Sequence, residues 1–215
     1  MKVKWLGHSS FLLTSDQGTR VVIDPYTSGG PISYGTIEET AEIVTVSHEH
    51  GDHSNVATVK GNPEVVKGTG AKQVSGIEIN GVGSFHDAEQ GSQRGANTIF
   101  CMGIDGVRVC HLGDLGHPLS DQAISDIGGV DVLLVPIGGH FTIDAAAATE
   151  VCNKLNPRVV IPMHYKTAKC AFPIEDAQGF LSGRANVRTV DDSEVELNKA
   201  GLPQATETIV LKYAM

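Results

Sequence analysis

Apolar residues in the first third of the chain come in short runs broken by polar and glycine positions, too short for helices of ordinary length. On this basis residues 3–6, 10–14, 20–24 and 43–47 read as strands, with a short helix near 36–41. The pattern continues at 64–67, 76–85, 98–104 and 107–112, where the Asp105-Gly106 step between the last two runs is a hairpin signal. Then the period changes. Residues 120–127 have helical spacing, 131–136 form a continuous apolar run, and the alanine-rich stretch 142–155 reads as a helix capped by Thr142 or Asp144. A buried strand at 158–162, a short helix at 173–181 and strand character at 187–190 and 208–213 complete the reading.

Strands first, then helices alternating with strands, predict two sheets packed face to face with helices outside, an α/β (α+β) arrangement. No repeat, linker or low-complexity tract divides the 215 residues, a length suited to one hydrophobic core, so a single domain over 1–215 is expected.

Composition acts mainly by exclusion. With 40% hydrophobic and 19% charged residues the chain has enough apolar material to fold, and disorder is not expected to dominate. No apolar run approaches the ~18–20 residues that cross a bilayer, and the N-terminus lacks the apolar stretch of a signal peptide. A cytoplasmic protein without a membrane partner is expected. The 16 basic residues are scattered within a net charge of −9, so nucleic acid is not expected as a partner either. Cys101, Cys110, Cys152 and Cys170 show neither CxxC spacing nor the density of a disulfide scaffold, and read as buried reduced thiols without assigned chemistry.

The chemistry is concentrated where the 43–47 strand ends. It delivers His48 and His50, whose i, i+2 spacing in extended backbone puts both imidazoles on one side, where one metal can take both. Gly51 permits a sharp turn, and Asp52 and His53 follow where the chain is expected to enter a helix, aimed beside the first pair and favouring a second metal. A solvated polar loop is the competing reading. Neutral and anionic ligands in this combination suit zinc, with manganese or iron as the other candidates. Two ions ~3.5–4 Å apart are a recurring hydrolytic arrangement, because they activate one hydroxide and stabilise the leaving oxygen.

The His-x-His-x-Asp-His segment resembles the signature of the metallo-β-lactamase superfamily, and the resemblance covers nearly the whole chain. It implies a four-layer αββα sandwich. Ser84-Phe85-His86 looks like the third-motif histidine, His111-Leu112-Gly113-Asp114 like the strand-end aspartate, and Pro162-Met163-His164-Tyr165 like the final histidine. The resemblance implies that His48, His50 and His86 hold one metal, that Asp52, His53 and His164 hold the other, and that Asp114 bridges them with a hydroxide. A closer branch is similar too: Leu6-Gly7-His8-Ser9-Ser10-Phe11, Ile23-Asp24-Pro25 and Pro136-Ile137-Gly138-Gly139-His140-Phe141-Thr142 look like small cytosolic hydrolases of the L-ascorbate-6-phosphate lactonase kind. His140 departs from that branch. His8, His111, His117 and His140 are read as residues that support the site or pack, not as ligands.

The activity so implied is attack by a metal-bridging hydroxide on a small ester, lactone or phosphoester, with Asp52 orienting the nucleophile and no serine or cysteine nucleophile required. A secreted β-lactamase, a flavin-diiron reductase and an RNA-processing enzyme are disfavoured by the missing leader, the histidine at position 50 and the absence of large insertions. Lys166, close after His164, and Arg94, in the loop after His86, are candidates for binding an anionic substrate. The alternative is a metal-binding sensor or assembly protein that turns nothing over. The oligomeric state is not legible.

Overall fold

The computed structural model describes residues 1–215 and holds two sheets. Six strands make the first: β1 (Lys2–Gly7), β2 (Ser10–Thr14), β3 (Arg20–Ile23), β4 (Ile43–Val46), β5 (Glu64–Lys67) and β13 (Glu194–Glu196), in the order β13-β1-β2-β3-β4-β5. The second has eight: β6 (Gly70–Val74), β7 (Ile77–Phe85), β8 (Ala96–Ile104), β9 (Val107–His111), β10 (Val132–Pro136), β11 (Val159–Met163), β12 (Val187–Thr189) and β14 (Glu207–Val210), ordered β12-β14-β11-β10-β9-β8-β7-β6. Antiparallel hairpins join β7, β8 and β9, whereas β9, β10, β11 and β14 run parallel. Parallel strands are buried on both faces, which is why β10 and β11 are apolar throughout.

Alternation assigns the two faces of the first sheet. Val3, Trp5, Phe11, Leu13, Val21, Ile23 and Ile43 enter the main core between the sheets. Leu6, Leu12, Val22, Val44 and Val46 point outward into a smaller core closed by Tyr26, Ile32, Tyr34, Ile37 and Ala41. The outer layer on this side is therefore irregular chain, and the helix expected at 36–41 is absent. Its backbone bonds go elsewhere: Ala41 N–H donates to the Lys60 carbonyl and Lys60 N–H to that of Glu39, while the Glu39 carboxylate meets Lys4 and Arg20. Tertiary pairing has overridden local propensity.

Helices cover the second sheet. α1 (Asp121–Ile127) is capped by the Ser120 hydroxyl, which accepts the Ala123 N–H, and packs on β7. α2 (Ala145–Leu155) is capped by Asp144, which settles the choice between Thr142 and Asp144, and lays Ala148, Val151, Cys152 and Leu155 against the core over β10. The expected helix at 173–181 shrinks to α3 (Gln178–Leu181), with Pro173 and Ile174 in coil. No helix of the structure is long and apolar enough to cross a membrane.

Candidate metal centre

Strand ends from both sheets converge at one edge of the sandwich. β3 runs into Asp24, β4 into His48 and His50, β7 into His86, β9 into Asp114 and β11 into His164. The sheets hold these backbones while the loops are free to aim side chains at a common point. Asp52 and His53 lie in a turn, not at a helix entrance; the nearest helical turn, a 3₁₀ segment, begins at Val56. Gly113 makes the step from β9 to Asp114 at φ +56°, with Asn97 Oδ1 and Ser47 so close that a Cβ would strike both.

Asp114 sits at the middle. Its Oδ2 lies 3.2 Å from Nε2 of His53, His86 and His164 alike, and 3.9 Å from Nε2 of His48. The Asp114 N–H is held by Asn97 Oδ1 at 3.0 Å, and Asn97 Nδ2 donates to the Leu112 carbonyl. On one side of this carboxylate the candidate ligand atoms of His48, His50 and His86 lie within 4.8 Å of one another; on the other, those of Asp52, His53 and His164 do so together with His8. All seven predicted ligands are thus brought together.

A second layer of contacts fixes two of the rings. Asp24 Oδ2 accepts the Nδ1–H of His53 at 2.9 Å and the Ser47 hydroxyl, while Oδ1 accepts the Ser47 N–H. With its hydroxyl proton on Asp24, Ser47 Oγ accepts from His48 Nδ1 at 2.9 Å. His48 is thereby set as its Nδ1–H tautomer and His53 donates from Nδ1, so both turn Nε2 toward Asp114, the arrangement in which an outer carboxylate orients metal-binding histidines. His86 and His164 have no such partner on Nδ1. The chain also groups Asp24 with His48 and His53 as a possible ligand set, but its oxygens are already spent on these outer bonds.

His8 is fully buried beside His164, with ring centroids 4.2 Å apart, and its Nε2 lies 3.2 Å from Asp52 Oδ2. An ionised carboxylate only accepts, so Nε2 of His8 carries the proton. Burial, with the neighbouring His164, lowers its pKa to about 4, consistent with a neutral donor. His111 is buried for a structural purpose: Nε2–H donates to the Ser9 carbonyl and Nδ1 accepts from Gly113 N–H. His117 likewise accepts the Phe85 N–H and donates to the Pro118 carbonyl, while His140 is exposed at φ +58°.

The cavity over the site encloses about 240 Å³ between His50, Asp52, His86, Asp114, His164, Arg94, Phe141 and Phe172. Arg94 stands over the Phe141 ring, 5.6 Å from its centroid, and its guanidinium forms no ion pair. Asp87 holds the loop that carries Arg94. Its carboxylate accepts the backbone N–H groups of Glu89, Gly91, Gln93 and Arg94, winding the loop around one side chain. Burial opposes ionisation there, but those four donors outweigh it and hold the pKa at about 2. Lys166 is differently engaged: it is exposed and donates to the Phe172 carbonyl at 2.8 Å, outside the residues that line the cavity.

The electrostatics of the cluster suit a bound cation. Burial would raise the pKa values of Asp24, Asp52 and Asp114, yet all three are held below the usual carboxylate range by surrounding histidines. For His53 burial is outweighed by Asp114, Asp24 and Asp52, which push it well above its ordinary value. His48, burdened by burial and by His53, falls to about 3. His48 Nε2, His53 Nε2 and Asp114 Oδ1 remain buried without a hydrogen-bond partner, a costly state for polar atoms. Divalent cations answer both demands, balancing the carboxylates and taking the free lone pairs, so this donor set fits a metal centre.

The family profile of the β-lactamase superfamily domain matches residues 2–164, ending on His164. The chain belongs to the metallo-β-lactamase superfamily. A UPF0173 metal-dependent hydrolase of Thermococcus onnurineus is 30% identical to it, over 91% of this chain and 98% of that protein. Another from Archaeoglobus fulgidus is 33% identical over 78% and 84%. Among solved structures, a Thermotoga maritima protein assigned as a Zn-dependent hydrolase of this superfamily aligns with a TM-score of 0.81 and 38% identity, covering 98% of this chain and 97% of its own. The metallo hydrolase Igni18 of Ignicoccus hospitalis aligns at 0.64 with 26% identity, over 83% and 88%. The superfamily fold therefore accounts for the segment after His164 as well, including α3, β12, β13 and β14.

Asp87 and the pair Asp24 and Ser47 were beyond the sequence reading. The sequence shows Asp24 as the last residue of the 20–24 strand and within Ile23-Asp24-Pro25, and its signal is that place at the end of a strand parallel to β4, where Asp24 N–H donates to the Thr45 carbonyl.

Proposed function

We propose that this chain is a metal-dependent hydrolase with two divalent ions, zinc by preference, acting on a small anionic ester, lactone or phosphoester. The observation that carries the reading is the convergence of three imidazole Nε2 atoms at 3.2 Å on one Asp114 oxygen, beneath a cavity bearing an unpaired Arg94. His48, His50 and His86 would hold one ion, Asp52, His53 and His164 the other, with Asp114 shared. Bound divalent ions of this kind lower the pKa of a coordinated water to about 7 and polarise the scissile oxygen.

The rest of the work falls to side chains. Asp52, kept ionised and fixed by the His8 Nε2–H, is a poor proton store but a firm acceptor, suited to orienting an attacking water. Arg94 offers a cation to the substrate's anionic group, and Phe141 and Phe172 wall its carbon frame away from water. Lys166 would serve the same end only on leaving the Phe172 carbonyl.

The test is turnover of a panel of esters, lactones and phosphodiesters by the metal-loaded protein, followed by a metabolite library, beside Asp52→Ala. Hydrolysis that disappears in the variant at equal fold stability supports the proposal. A protein that binds metal and turns over nothing in either screen is a sensor or assembly protein instead.

A further inference from the structure

Two of the four thiols meet outside the candidate ligand groups. Cys101 on β8 and Cys110 on β9 are direct cross-strand partners, and their Sγ atoms lie 3.1 Å apart without a bond between them. Antiparallel partners have Cα atoms about 4.5–5.5 Å apart, inside the range a disulfide spans, so closing one needs the sulfurs to approach by about 1 Å and no rearrangement of strands. Cys101 also borders a cavity of about 520 Å³ on the outer face of the second sheet, beside Lys72, Glu78, Asn80 and Arg108. Arg108, anchored on the Ile127 carbonyl at the end of α1, stands next to the pair.

We propose that Cys101 and Cys110 are a dithiol modification site, oxidised to an intramolecular disulfide by a small-molecule disulfide that reaches Cys101 through this cavity. The Cys101 thiolate attacks one sulfur of that molecule and releases its other half as a thiolate. The Cys110 sulfur, giving up its proton to the departing thiolate, then displaces the second half from Cys101. Two electrons pass from the cysteine pair to the small disulfide, which leaves as two thiols.

Roles are assigned by the surroundings. Cys101 borders the cavity and has the Arg108 guanidinium beside it to favour its thiolate, so it is the attacking sulfur. Cys110 is fully buried and does not line the cavity, and burial raises its pKa, so it follows as the resolving thiol. Cys152 makes an internal control, since it borders another cavity near Arg184 but burial pushes its thiol up to about 11 and no second sulfur is near.

Incubation of the full, folded, reduced chain with glutathione disulfide tests this, read by intact mass and by fragmentation of alkylated peptides. The expected product has lost two hydrogens, retains no glutathione, links position 101 to 110, and leaves Cys152 and Cys170 alkylated. Cys110→Ser should instead keep one glutathione on Cys101. A folded wild-type chain that does not oxidise under conditions that oxidise the unfolded chain overturns the proposal. So does wild-type protein that retains glutathione, or a linkage through Cys152 or Cys170.

Discussion

Asp24 accepts the Nδ1–H of His53 across 29 residues of chain, and the same carboxylate reaches His48 through the Ser47 hydroxyl. One buried side chain thereby orients a histidine from each candidate ligand group. Asp24→Asn should keep the shape but lose the charge and one acceptor. Metal affinity, measured by competition with a chromophoric chelator, is expected to fall ~10–100-fold, as such outer contacts usually dictate. Unchanged affinity for both ions would show that the rings are oriented without it.

Asp114→Ala removes the oxygen on which three imidazoles converge, so its loss should exceed that of Asp24→Asn. Elemental analysis of protein purified without chelator should give about two ions per chain for the wild type, because the ligand inventory is too large for one tetrahedral zinc. The variant should fall toward one or none, and hydrolysis with it. His117→Ala is the comparison, made at matched folded stability because His117 closes two backbone hydrogen bonds. Equal metal loss in both variants would remove Asp114 from the centre.

Arg94 and Lys166 separate cleanly by geometry. Arg94→Ala should raise KM for an anionic substrate about tenfold, the worth of one charge-assisted contact of ~1.5 kcal/mol, and leave kcat nearly unchanged. Lys166→Ala should have a smaller effect, since its ammonium already serves the Phe172 carbonyl. Both effects should shrink with added salt. A KM that responds to Lys166 alone would transfer the anion contact to that residue.

Acid stability should report on Glu39, far from the site. Burial would raise its pKa, but Lys4 and Arg20 together hold it below the ordinary 4.5. A depressed carboxylate contributes stability that is fully present above the unfolded value and is lost as pH falls through the folded one. Glu39→Gln should therefore cost about 1 kcal/mol at neutral pH, and the gap to wild type should close as the pH falls below the ordinary 4.5 and through the lowered folded value. A gap that persists undiminished at pH 3 would assign the loss to packing.

How far the sequence foretold all this depends on how local each signal is. The strands at 10–14 and 64–67 appear with the expected bounds because a short apolar run bounded by polar residues is written into the strand itself. β6 was invisible: Gly70–Val74 is polar and mostly exposed, and it is a strand only because β7 offers it an edge. β13, three residues docked on β1, was missed for the same reason. The helix expected at 36–41 failed in the other direction, since Ile37 and Ala41 bury against the outer face of the first sheet while Thr40 bridges to Lys60. At the site, residues whose identity carries the chemistry were legible, whereas Asp24, Ser47 and Asp87 act through contacts that only the fold creates.

His8, Asp24 and His164 all sit at positive φ, +52°, +45° and +49°, where the strands turn into the centre. Left-handed backbone costs a side chain-bearing residue of order 1 kcal/mol, and glycine is the replacement that relieves it. Glycine has no imidazole or carboxylate to offer. Consensus or computational stabilisation of this protein will therefore meet a ceiling at these three positions, because the substitution that relaxes each turn deletes the atom for which the turn exists.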